Sequence, residues 1–498
     1  MNKGIALLGA STFFLGACAT VPEPFTSAEL QEAASRNFAE VDAEQEPVTA
    51  PIDLYEAMAR ALKYNLDYKV ELMEIALRER ELDLQRYDML PQLVANAGYA
   101  GRNNFSGASS LSLITQQQSL EPSTSQERDL FTADLSLSWD VLDFGLSYVR
   151  AKQGADEVLI SQERRRKVAN RVIEDVRSSY WRAVSAERLL TKLQELESSV
   201  TTTLENSERL SERRLSAPLT ALTYQRELLQ IQSQIRTLQR ELVVAKSQLA
   251  ALMNLRPGTD FSLALPDRTD HLPAVEYDGE DMMMTALLNR AELREVGYRQ
   301  RINARELDAA LLSALPSFRG VLGVNVDSND FLFNNDWVNY GARASWNVLN
   351  LFRLPAQKRA VRAQNDLLEQ RELALTMAVV TQVHVARARF GHLREELETV
   401  SRQMTVQDKI LNQIRAGHAT GVMSRQTLLR EEMNTLVAEV QYDIAYAEAQ
   451  NAYANLFASM GIDEFSPEVT GQEDVATLRA SLAKLWQDRE AAVRLSGQ

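Results

Sequence analysis

The sequence predicts a mainly α-helical chain with a small β part, built twice in tandem. Three observations carry this. Leu228, Ile231, Ile235, Leu238, Leu242, Ala245, Leu249 and Leu252 alternate steps of three and four without a miss, which is a coiled-coil seam. "LSLSWDVLDFG", from Leu135 to Gly145, alternates apolar and polar residues as a strand with one greasy face does. "ARASWNVLNLF", from Ala342 to Phe352, repeats that spacing with Asn347 and Asn350 in place of Asp140 and Asp143.

In chain order, residues 1–17 read as a secretory signal peptide. Lys3 precedes a short apolar stretch and small residues, too short a run to span a membrane. It ends in Leu15-Gly16-Ala17-Cys18, the pattern at which bacterial lipoproteins are cleaved and acylated, so Cys18 is the expected lipid anchor. Residues 18–51 are rich in Glu, Pro and Ala without sustained periodicity, and read as an arm.

The first repeat is assigned to 52–255. Leu66, Val70, Met73, Leu77 and Leu84 fall on one helical stripe that stops at Pro91. A hairpin is expected over 92–142, with a polar loop before the strand around Trp139. That strand puts Phe131, Ala133, Leu135, Leu137, Trp139 and Val141 on one face, and Thr132, Asp134, Ser136, Ser138 and Asp140 on the other. Roughly a dozen residues suffice for a tilted membrane strand of about 9–11. Helix signal then runs from Tyr148 to Leu255, interrupted only near Pro218. An arm of about 65 residues would reach roughly 100 Å.

Residues 256–280 are a linker, and the second repeat occupies 281–461. "ALLNRAELREVGYRQ…SALPSFRGVLGV" parallels "ALKYNLDYKVELMEI…DMLPQLVANAGY", with Leu315-Pro316 opposite Leu90-Pro91. A hairpin over 317–349 pairs Phe318, Gly320, Leu322, Val324 and Val326 with a strand spanning Val338 to Val348. Helix follows from Pro355 to Gly461, broken by "RAGHATGVMS". The segment 462–498 holds a last amphipathic helix within Asp474 to Arg489.

Four strands leave two open edges, and unpaired backbone in lipid costs several kcal/mol per group, so the barrel must close with other copies. Three copies give twelve strands. The lipid-facing stripe is expected at Phe131, Leu135, Leu137, Trp139, Tyr340 and Trp346, with Trp139 and Trp346 near the periplasmic boundary.

Leu90-Pro91, Leu315-Pro316, "NLDYKV", "NRAELREV", "SWDVLDFG", "SWNVLNLF" and "AGHATGVMS", in this duplicated order, resemble the TolC-type outer membrane factors. The lipobox resembles their lipoprotein branch, typified by OprM. The resemblance implies a homotrimer with a 12-stranded outer membrane barrel and a periplasmic α-barrel. It also implies an exit duct of a tripartite efflux pump or type I secretion system, working with an inner membrane transporter through a periplasmic adaptor (membrane fusion protein). Ala19 after the cysteine implies delivery to the outer membrane. The adaptor-docking tips would be Ser216, Ala217 and Pro218, and Gly417, Gly421 and Ser424. Members of the family carry acids just past the second tip, where this chain has Thr427 and Arg430, with Glu431 and Glu432 on other faces. The competing class is a lipid-anchored periplasmic coiled-coil scaffold, which would not need four alternating strands.

No catalytic constellation accompanies these features, and neither a cofactor nor a metal is expected. Ser481-Leu482-Ala483-Lys484 matches SxxK without supporting motifs. Met282, Met283 and Met284 point in three directions on a helix and cannot converge on one soft metal. The run Arg164-Arg165-Arg166-Lys167 reads as a solvated helix face. A net charge of -14 over 498 residues makes nucleic acid an unfit partner, and the single Cys excludes an internal disulfide framework.

Overall fold

The duplication holds almost to the residue in the computed structural model, which describes residues 23–496 except 42, 44, 120, 213–217, 257, 269–271, 273–277, 464, 466–470 and 472. Cys18, Ser216 and Ala217 lie outside the described residues. Among the described residues helix α1 (Ser27–Glu40) comes first. Repeat one follows as α2 (Leu54–Tyr64), α3 (Leu66–Tyr87), β1 (Gln92–Gly101), β2 (Asp129–Asp140), α4 (Val141–Glu212) and α5 (Pro218–Leu252). Repeat two is α6 (Gly279–Asn289), α7 (Ala291–Leu312), β3 (Ser317–Asp327), β4 (Asp336–Ser345), α8 (Leu349–Ala419) and α9 (Arg425–Ser459), and α10 (Val475–Ser496) closes the chain.

Both repeats break their first helix at one residue. Asn65 ends α2 and caps α3, accepting from the Tyr68 amide at 3.2 Å. Arg290 holds the same extended backbone between α6 and α7. The Asn65 amide donates to the Leu252 carbonyl (3.4 Å), and the Arg290 guanidinium to that of Ala458 (3.1 Å). Each joint ties the start of a 22-residue helix to the end of a 35-residue one.

The returning arms, at 35 residues each, fall short of the expected 65 or so. Only α4 (72 residues) and α8 (71 residues) run the full length, roughly 110 Å at 1.5 Å per residue. The returning helices α5 and α9 cover the distal half, and α3 and α7 complete the proximal half. The long helices also start earlier than their periodicity suggests. Asp140 accepts from the Leu142 and Asp143 amides at 3.0 and 3.3 Å, and Asn347 from the Leu349 amide at 3.2 Å. A side-chain oxygen that satisfies first-turn donors sets a helix start, so Pro355 falls inside α8 rather than opening it.

The four strands form one antiparallel meander in the order β1-β2-β3-β4. The main core lies at mid-length of the helices, the equator. There Ile52 pairs with Leu263 in a parallel bridge, and the Tyr180 hydroxyl donates to the Ala264 carbonyl at 3.0 Å. Burial pushes that phenol's pKa well above its ordinary value. A second cluster joins Leu189, Leu193, Leu228, Ile235, Leu429 and Met433 in the distal half, on the seam read from the sequence. Burying each such Leu or Ile contributes about 1.5–3 kcal/mol.

Candidate conduit wall

Neighbour relations place each element in a wall. The proximal helices lie in the order α3-α4-α7-α8, and the distal ones in the order α5-α4-α9-α8. With the sheet order β1-β2-β3-β4, one lateral edge is always made by the first repeat (β1, α3, α5) and the other by the second (β4, α8). Both edges are apolar and uncovered. Val70, Met73, Leu77 and Leu84 on α3 are more than half exposed, as are Leu373, Met377 and Val385 on α8. The α3 stripe seen in the sequence therefore faces outward in a single chain.

The sheet register separates its faces. Leu93 lies opposite Leu137, Leu137 opposite Leu322, and Leu322 opposite Tyr340. Phe131, Leu135, Leu137, Trp139 and Tyr340 thus share one face of the sheet. All five are exposed. Trp346 lies one residue past β4, and its indole N–H donates to the Ala314 carbonyl at 3.0 Å, so it marks the strand-to-helix junction rather than the strand. The opposite face is mainly polar, although the register also places Val94, Val321 and Trp337 on it. The Asn96 amide donates to Asp134 at 3.0 Å, and that of Asn325 to Asn339. Arg319 pairs with Asp140 at 3.4 Å.

The α8–α9 tip has a defined shape. The Val422 amide donates to the Gly417 carbonyl (2.9 Å) and the Gly421 amide to that of His418 (3.0 Å), a double closure with Gly421 at φ +79°. Ser424 then caps α9 by accepting from the Thr427 amide at 3.1 Å. A Cβ on Gly417 would meet the Met423 side chain at 2.7 Å. At the other tip, Pro218 is the first residue of α5, where a missing N–H costs nothing.

Just past the α9 cap, Arg430 pairs with Glu227 of α5 at 3.4 Å and with Glu431 at 3.3 Å, and the Gln426 amide also donates to Glu227. Gln407 donates to Glu431 at 3.0 Å, and Arg415 pairs with Glu432 at 3.6 Å. Burial pushes the Glu431 carboxyl up, but the donors Gln407, Asn434 and Arg430 outweigh it and hold it below the ordinary carboxylate range. These acids are therefore committed to local partners within one chain.

The run Arg164 to Lys167 is not a solvated face. Arg166 pairs with Glu163 (2.6 Å) and Asp463 (2.8 Å), Lys167 with Glu295 (2.7 Å), and Arg164 with Glu74 (3.6 Å) and Glu295 (3.7 Å). The cations stitch α4 to α3, α7 and the segment after α9. Nothing in the local pattern distinguishes this, because all the acids except Glu163 come from distant segments. Farther down, Asp443 receives both Arg188 (3.4 Å) and the linker's Arg268 (2.9 Å). Met282 is buried, Met283 partly buried and Met284 exposed. Lys484 of the SxxK match points to solvent. Among the described residues no cluster of His, Cys, Asp and Glu could hold a metal, and no helix is long and apolar enough to cross a membrane.

The chain matches no family model and no curated protein. Solved structures do share its fold. It is similar to CusC, described through transmembrane channel formation, at 17% identity and a TM-score of 0.63 over 84% of this chain and 96% of CusC. The MtrE outer membrane channel of Neisseria gonorrhoeae matches at 17% identity and 0.61, over 82% of this chain and 89% of MtrE. The CmeC outer membrane channel of Campylobacter jejuni matches at 14% identity and 0.61, over 92% of this chain and 96% of CmeC. The fold, mainly helical with one four-stranded antiparallel sheet, is that of TolC-type outer membrane channels.

Proposed function

We propose that this chain is one stave of an outer membrane exit duct, closed by three copies into a 12-stranded barrel above a helical periplasmic tunnel. The observation that carries it is the coincidence of edges: at every tier the first repeat supplies one uncovered edge and the second repeat the other. The sheet's uncovered apolar face suits lipid, and its polar face suits a water-filled lumen. Cys18 anchors the arm by acylation. The tips at Ser216, Ala217 and Pro218 and at Gly417, Gly421 and Ser424 receive a periplasmic adaptor, which couples the duct to an inner membrane transporter in efflux or type I secretion. Driving energy comes from that transporter, and the duct itself is passive. A lipid-anchored scaffold would leave the four strands and their apolar face without a purpose.

Reconstitution of the detergent-extracted protein in planar bilayers tests this. A heat-dissociable trimer that conducts ions in discrete steps is expected. A monomer, or a trimer without conductance under any applied voltage, would overturn the duct.

A further inference from the structure

Helix α1 has a complete capping box: the Thr26 hydroxyl accepts from the Glu29 amide, and the Glu29 carboxylate accepts from the Thr26 amide at 2.7 Å. Yet none of its 14 residues is buried. Leu30, Ala34 and Phe38 line one face, with Leu30 55% and Phe38 67% exposed. A helix this short needs a surface to pack on. Among the described residues its own chain holds it at the root. The Asn254 amide donates to the Val41 carbonyl at 2.6 Å, and the Arg256 guanidinium sits 4.9 Å from the Phe38 ring. That root is the end of α5, beside the start of α3, on the first-repeat edge.

The duplication identifies what is missing on the other edge. Helices α2 and α6 are equivalent at an offset of 225 residues, the offset from Leu90 to Leu315. The equatorial side of α2 is covered by α10, whose Leu478, Leu482 and Trp486 are buried, and Ala59 is fully buried. Its counterpart on α6 is Met284, which is 58% exposed, and Leu288 one turn on is 68% exposed. Among the described residues no helix lies over that side of α6, which packs against α8 on the second-repeat edge; Gly279 abuts Arg387, and Arg290 donates to Gln382 at 2.8 Å.

We infer that α1 of one copy lies across Met284 and Leu288 of the adjacent copy, as α10 lies across α2 within a chain. The apolar faces lie at the same equatorial level on opposite edges, and each supplies what the other lacks. The strap rests on the ring reading above, because only a ring brings the two edges together. It makes the amino-terminal arm a clasp between copies, besides the leash of a lipid anchor.

Disulfide trapping in the intact membrane-bound protein separates the two ideas. Phe38→Cys with Leu288→Cys reports the strap. Met73→Cys with Leu367→Cys, on α3 and α8 at similar height, reports the ring. Each single substitution controls for bonding to Cys18. Expected under mild oxidation are covalent dimers and trimers from both pairs, and none from the single variants. Trapping from the Met73/Leu367 pair alone overturns the strap and leaves the ring standing. Trapping from neither overturns both. A monomeric internal link from Phe38/Leu288 would show that α1 covers its own α6, which also refutes the clasp.

Discussion

Gly421 shows how one residue shapes an end of the molecule. Its φ of +79° closes α8 with two backbone hydrogen bonds, and a residue bearing a side chain costs about 1–2 kcal/mol in that region. Gly421→Ala is expected to weaken the turn, read as faster hydrogen exchange at the Val422 and Met423 amides. Gly421→Trp is expected to abolish export in cells while trimer amount and membrane insertion stay unchanged. Loss of the trimer instead would assign the tip a role in folding rather than docking. Glu295 carries a pH dependence. Burial alone would raise its pKa, but the hydrogen bond and charge of Lys167, with Arg299 and Arg164, hold it below the ordinary range. A carboxyl lowered on folding contributes stability above its unfolded pKa and loses it as pH falls through the folded one. Glu295→Gln is therefore expected to flatten the fall in melting temperature on acidification from neutral pH through the carboxylate range. An unchanged pH slope would mean that Glu295 contributes nothing to acid sensitivity.

At the scale of elements, the sheet is defined by alternation and the helices by their ends. Leu137 and Ser136 are neighbours on opposite faces of β2, so they form a matched test. Leu137→Arg is expected to cost about 2–4 kcal/mol near the bilayer midplane and to reduce heat-modifiable trimer in the membrane fraction. Ser136→Arg is expected to be tolerated, and equal tolerance of both would reverse the face assignment. Asp140 and Asn347 do equivalent work at the two strand-to-helix corners. The sequence shows the substitution of Asn for Asp but not its meaning. Either oxygen can accept a first-turn amide, so the change is conservative for capping.

For the whole molecule, the proposed duct has the first-repeat edge of one copy meeting the second-repeat edge of the next head to tail, an arrangement that closes only if the rotation per copy divides the circle. The amino terminus adds a constraint of its own. Mass spectrometry of the mature protein is expected to show an acylated Cys18 as the first residue, and an unmodified amino terminus elsewhere would remove the anchor. The ion-pair belt around Arg166 and Asp463 lies just above the equatorial core, where proximal and distal helices change over. Polar pairs there register helices whose apolar seams alone would permit sliding by a heptad.

What the sequence determined by itself is local or repetitive. Strand alternation around Trp139, the seam from Leu228 to Leu252 and the offset from Leu90 to Leu315 are each written in consecutive or periodic residues, and the structure keeps them. What only the tertiary structure decided is which surface meets which. The α3 stripe of Val70, Met73 and Leu77 has the periodicity of a buried seam yet faces outward in the single chain. The cations from Arg164 to Lys167 have the periodicity of a solvated face yet meet acids from α3, α7 and the segment after α9. The half-length return arms depend on the joints Asn65–Leu252 and Arg290–Ala458, each made between residues more than 150 positions apart. Periodicity tells a helix or strand which of its sides is apolar, because that follows from backbone geometry alone. It carries no record of the partner, which is chosen by contacts between distant segments.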